Sequence, residues 1–137
     1  MMKHIAAALT ALALTGMAGS ALAEGDAAAG EKIFKKCKAC HKVGDGAKNG
    51  VGPMLNGIVG NEIASVEGFE KKYSKAFLAK KDEGLVWTEA ELDAFLTKPK
   101  KYIKGTKMSF AGLKKPKDRA AVIVFLRSLS DQPKPLP

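Results

Sequence analysis

The chain has 137 residues, two cysteines, two histidines and a formal net charge of +9, enough length for a single domain with a modest core. The absence of a third cysteine excludes a cysteine-only zinc site, and no apolar run approaches the ~20 residues that a membrane-spanning helix needs.

Residues 1–23 read as a secretory signal peptide: Lys3 and His4, an apolar run from Ile5 to Leu14, then Ala21-Leu22-Ala23 as a small-x-small cleavage site. An uncleaved anchor is the alternative, but the run is short for one. Cleavage would leave residues 24–137 as an exported, periplasmic domain, in which His41 is the only histidine. The first helix is expected over 24–36, with Asp26 as N-cap and Ile33 and Phe34 opening its apolar face. Gly30 inside it costs about 1 kcal/mol relative to Ala, so it either admits another backbone or faces solvent.

Cys37-Lys38-Ala39-Cys40-His41 follows. A helical turn aims two thiols three residues apart at one edge of a flat macrocycle, and the next imidazole can reach its metal; this is the spacing of covalent haem attachment. A thioredoxin-like redox pair would need a βαβ setting that the chain lacks, and a simple disulfide would leave His41 unexplained. A lone histidine also excludes a bis-histidine haem.

Residues 42–61 hold six glycines and Gly50-Val51-Gly52-Pro53, which predicts a long loop wrapped against the macrocycle rather than a phosphate cradle, since no Gly-Lys-Ser/Thr follows. In the polar, basic stretch 65–83, Ser74 is placed to cap a short helix through Lys80. Thr88-Glu89-Ala90-Glu91 is a capping-box pattern, Leu92, Phe95 and Leu96 form a stripe, and Pro99 ends that helix. A basic loop over 98–110 carries Met108. Pro116 opens the last helix, with Val122, Phe125, Leu126 and Leu129 on one face to Ser130, and a proline-rich tail is expected to fray from about 131. The pattern is all-α.

Two methionines could supply a second axial ligand. Met54 stands close behind His41, which makes the opposite face awkward to reach; Met108 has sixty-seven residues in which to travel there. Gly52-Pro53, Leu55, Gly57-Ile58, Trp87, Pro99-Lys100-Lys101-Tyr102-Ile103 and Gly105-Thr106-Lys107-Met108, together with the haem motif and the closing helix, resemble class I cytochrome c, above all its bacterial c2 and mitochondrial branches. The resemblance spans 25–129. It implies a monomeric all-α fold in which the terminal helices cross around one covalent haem c, with Gly30 and Phe34 meeting Phe125. It also implies Cys37 and Cys40 as attachment points, His41 and Met108 as iron ligands, and the Pro53 carbonyl on the free nitrogen of His41. Trp87, with Tyr73 or Ser74, would contact a haem propionate, and Thr106 would lie beside the Met108 loop. Two positions depart from the family: Asn61 stands where an arginine is usual, and Phe95 where a tyrosine is common.

In that fold, Lys35, Lys36, Lys38 and Lys42 beside the haem motif and Lys100, Lys101, Lys104 and Lys107 beside Met108 would ring an exposed haem edge and steer acidic partners. The resemblance implies an electron carrier rather than an enzyme. Its partners would be a quinol–cytochrome c oxidoreductase as donor and an oxidase, a photosynthetic reaction centre or a periplasmic reductase as acceptor. Nucleic acid is disfavoured by export and the lack of a motif. A haem enzyme or gas sensor, and a dedicated partner of one dehydrogenase, are the competing readings.

Overall fold

The computed structural model describes the backbone of residues 19–130 and the side chains of residues 26–130. The tail from 131 lies outside the described residues, as does the expected signal peptide apart from 19–23. Among the described residues five helices form: α1 (Gly19–Phe34), α2 (Lys75–Asp82), α3 (Glu89–Thr97), α4 (Pro99–Tyr102) and α5 (Pro116–Ser128), with a 3-10 turn at Glu70–Lys72. The strand-like feature among the described residues is an isolated antiparallel bridge between Glu62 and Val86.

α1 packs on α5, and α3 packs on both α5 and α4. Gly30 marks the point where α1 and α5 come closest. A Cβ there would overlap the Ala121 carbonyl and sit 2.7 Å from Phe125 Cβ, so the helix glycine is the condition for backbone contact. One turn on, the rings of Phe34 and Phe125 lie 5.5 Å apart, and Phe34 is 1% exposed. Burying a phenylalanine to that extent contributes about 2–3 kcal/mol.

Three local expectations need correcting. α1 is already helical from Gly19, so Asp26 lies inside it and is not its N-cap. The capping box is half made. Thr88 Oγ1 accepts from the Glu91 N–H at 3.1 Å, but the Thr88 N–H already donates to Val86 O, so Glu91 cannot reach back, and its Oε2 is buried with no partner among the described residues. The basic loop at 98–110 contains a helical turn, α4, because Pro99 both stops α3 and supplies the fixed φ of a first helical residue. The Ser74 cap forms as expected, its Oγ accepting from Phe77 N–H at 3.2 Å.

The core runs between the α1–α5 pair and α3, and continues through Ile58, Ile63, Trp87, Ile103 and Leu113. Trp87 is held by main-chain pairing: its N–H donates to Asn61 O at 2.8 Å and its carbonyl accepts from Gly60 N–H at 2.8 Å.

Candidate functional site

Inside this frame lies a largely apolar cavity of about 340 Å³, within the range of ~300–1,000 Å³ usual for cofactor sites. Cys37, Cys40, His41, Pro53, Tyr73, Ser74, Trp87, Phe95, Thr106 and Met108 all line it. Residues from the end of α1 thus share one chamber with residues from the segment between α4 and α5.

The thiols are presented by a chain of turns. Cys37 N–H donates to Phe34 O at 2.8 Å as α1 ends, and the His41 N–H donates to Cys37 O at 2.9 Å, which keeps 37–41 wound as one further turn. No disulfide joins Cys37 and Cys40. Burial pushes the Cys37 thiol above its ordinary value, the positive charge of Lys36 partly opposing it.

His41 is set from behind. Its Nδ1 donates to the Pro53 carbonyl at 2.7 Å; a carbonyl can only accept, so the proton sits on Nδ1 and the Nε2 lone pair is left for a metal. Burial pushes the imidazole below its ordinary value, more than the Pro53 bond raises it, and the ring is neutral near pH 7. Gly52 fits flat against the ring: a Cβ there would sit 2.6 Å from His41 Cε1 and 2.8 Å from Nδ1. The Gly52 N–H in turn donates to Cys40 O at 2.8 Å.

Met108 reaches the cavity from the extended run after α4. Its N–H donates to Thr106 Oγ1 at 3.2 Å. An aromatic chain supplies much of the remaining wall: Tyr73 stacks on Phe77 at 6.1 Å, Phe77 tilts against Trp87 at 6.2 Å, and Trp87 meets Phe95 at 5.1 Å. Phe95 brings no hydroxyl to this wall. Tyr73 Oη accepts from Val66 N–H at 3.1 Å, which leaves its own proton to donate.

These residues fit a covalently held haem. Two free thiols and an imidazole with its Nε2 lone pair open onto the cavity. Trp87, 4% exposed, lines the same chamber. A buried indole wants an acceptor, which a propionate provides.

Of the eight lysines selected from the sequence, Lys36 and Lys107 stand at the cavity's edge. Lys100 lines a second cleft with Lys98 and residues 109–111. All eight are exposed, and none has a carboxylate partner among the described residues. Lys72 was not selected, yet it lines the cavity too, its Nζ 3.5 Å from Gly50 O, while Lys107 Nζ reaches Lys72 O at 3.4 Å. Nothing local marks Lys72 out from its neighbours Lys71 and Lys75. Its place follows from folding of the 66–73 segment over the glycine loop, where Asn49 Nδ2 donates to Glu67 O at 2.8 Å. Val51, 80% exposed between two glycines, is the apolar residue at this rim.

Comparison with known proteins gives a consistent result. The profile of the family described as Cytochrome c matches residues 27–130. Cytochrome c2 of Rhodomicrobium vannielii is 50% identical over 96% of this chain and all of its own length. Cytochrome c of Stellaria longipes is 49% identical over 76% of this chain and 93% of its own. Among solved structures, cytochrome cH from Methylobacterium extorquens aligns with TM-score 0.67 at 45% identity, covering 76% of this chain and 99% of the other. Cytochrome c2 from Rhodospirillum centenum gives TM-score 0.72 at 36% identity, covering 77% and 99%. The chain belongs to the cytochrome c family: it is a class I cytochrome c that carries one covalent haem c and transfers electrons rather than acting as an enzyme.

Proposed function

We propose that this cytochrome is a periplasmic one-electron shuttle whose haem iron is held between His41 Nε2 and the Met108 sulfur. The observation that carries the reading is the shared cavity: one apolar chamber is lined by both thiols, by the imidazole braced on Pro53, and by Met108. Bound haem c supplies a ferric/ferrous couple; everything else is done by the chain.

Cys37 and Cys40 anchor the group through thioethers. His41, neutral and fixed in tautomer, donates Nε2 at a set angle because Gly52 and Pro53 prevent the ring from turning. Met108 adds a soft thioether that favours the ferrous state and raises the potential. With His41 and Met108 both holding the iron, no small molecule would need to coordinate. Trp87, Tyr73 and Ser74 offer N–H and O–H donors to the acidic edge of the group, and Thr106 holds the Met108 main chain from its own side.

The wider reading follows from the sequence. Residues 1–23 act as a leader cleaved after Ala23, which removes the start of α1 and leaves residues 24–34 of it with α5. Among the described residues no helix is long and apolar enough to cross a membrane. The exported monomer accepts electrons from a membrane quinol-oxidising complex and passes them to an oxidase, a reaction centre or a periplasmic reductase. Exposed lysines, now including Lys72, steer the acidic faces of those partners.

The test is stopped-flow reduction of the haem-loaded protein by a purified bacterial quinol–cytochrome c oxidoreductase. The reading expects a second-order rate that falls about tenfold or more from low to physiological salt. A rate independent of salt contradicts lysine steering. Ready carbon monoxide binding to the ferrous protein would contradict a closed axial pair and favour an open-site enzyme or sensor.

A further inference from the structure

The segment carrying Met108 is fastened from behind by an ion pair between α5 and α3. Arg119, on the first turn of α5, is 8% exposed. Its Nε donates to Asp93 Oδ1 of α3 at 2.7 Å, and its Nη1 donates to Leu113 O at 2.9 Å and Lys114 O at 3.2 Å. Leu113 is held from its other side as well, its N–H donating to Leu96 O at 2.8 Å. Gly112 (φ +107°) lies so close to the end of α3 that a Cβ would overlap the Thr97 carbonyl oxygen and sit 2.9 Å from its carbon. The side chain of Leu113 is itself part of the cavity wall, five residues after Met108.

We propose that Arg119, aligned by Asp93, is a positioning residue for the Met108 sulfur: it fixes the far end of the 103–114 segment and so decides how firmly Met108 is presented to iron. Upstream, α4 and the buried Ile103 form the other anchor. Between Ile103 and Leu113 the main chain makes one short-range turn bond, Thr106 N–H to Ile103 O, and the bond from Met108 to Thr106, so the position of Met108 depends on its two anchors. Removing the guanidinium would leave the buried Leu113 with an unmet carbonyl. Hydrogen bonds to a charged donor are stronger than neutral ones, so the fraction of molecules with Met108 released should rise roughly tenfold or more. The inference rests on Met108 being the ligand.

The test compares Arg119→Met, Arg119→Lys, Asp93→Asn and the control Glu89→Gln, which breaks the other α3–α5 ion pair, Arg127–Glu89, without touching residues 113–114. Two heating curves are recorded on each haem-loaded ferric protein: the red-end sulfur–iron absorption band and the far-ultraviolet helix signal. Reduction potentials are measured alongside. In Arg119→Met the band should vanish well before the helices melt and the potential should fall. Arg119→Lys should restore part of both, and Asp93→Asn should show the same pattern more weakly. Glu89→Gln should lower only the common midpoint. Loss of band and helix together at unchanged potential, in Arg119→Met and Asp93→Asn alike, would overturn the proposal. If Arg119→Met does not fold, Asp93→Asn decides alone by the same two readouts. Absence of the band from the unmodified protein overturns the ligand assignment and this inference with it.

Discussion

The two segments that bring His41 and Met108 to the cavity are built on different plans. Behind His41, the glycine loop is stapled along its length. Asn56 and Gly44 exchange two hydrogen bonds of 2.8 Å, Asn49 accepts from Met54 N–H at 2.9 Å and donates to Glu67 O, and Pro53 and Gly52 clasp the imidazole. The Met108 segment is held chiefly at its ends, by α4 and by the Arg119 cluster, with a single side-chain bond to Met108 itself. A rigid imidazole faces an adjustable thioether. Loss of one bond should therefore be felt by the whole fold on the first side, and only at the ligand on the second.

The harshest way to break this contrast is Gly52→Val. The added side chain must displace the imidazole from Pro53, at a cost of about 3 kcal/mol, and recovery of haem-loaded protein from an export host should fall severely. Normal yield and an unchanged midpoint would mean that the loop is pliable. Asn56→Ala removes two hydrogen bonds at once. It should cost about 2 kcal/mol and lower the global melting midpoint by about 8 °C, with the sulfur–iron band lost at that same lower temperature. Thr106→Val should do the reverse, moving the global midpoint by no more than ~0.5 kcal/mol while the band disappears earlier than the helix signal.

The smallest expected effect is alkaline. Burial raises the Tyr73 phenol above its ordinary value of 10.0, helped slightly by Glu70 and opposed by the Val66 bond. An acid with a raised folded value contributes stability in full below the unfolded value near 10 and loses it as pH climbs through the folded one. Denaturant midpoints measured at successive pH values above 10 should fall less steeply in Tyr73→Phe than in the unmodified chain.

What could be read in advance was what depends on spacing along the chain. The 37–41 motif, the Ser74 cap, the helix stop at Pro99 and the proline start at 116 are local geometry, and each has a short-range physical reason. The Gly30 contact with α5 was legible only through likeness to a family, since a helix glycine alone is ambiguous. Arg119 and Asp93 stand twenty-six positions apart and meet only after α3 and α5 pack, so neither residue carries a local sign of its partner. Glu91 misled for a similar reason: its pattern was right, but the Val86 carbonyl had already taken the Thr88 N–H as the Glu62–Val86 bridge formed nearby.

The account stands on which methionine meets the iron. The direct measurement is the ferric absorption spectrum of three haem-loaded proteins at neutral pH: the unmodified chain, Met108→Leu and Met54→Leu. The sulfur–iron band should be present in the first, abolished in the second and unchanged in the third; a band that survives Met108→Leu, or disappears with Met54→Leu, would contradict it.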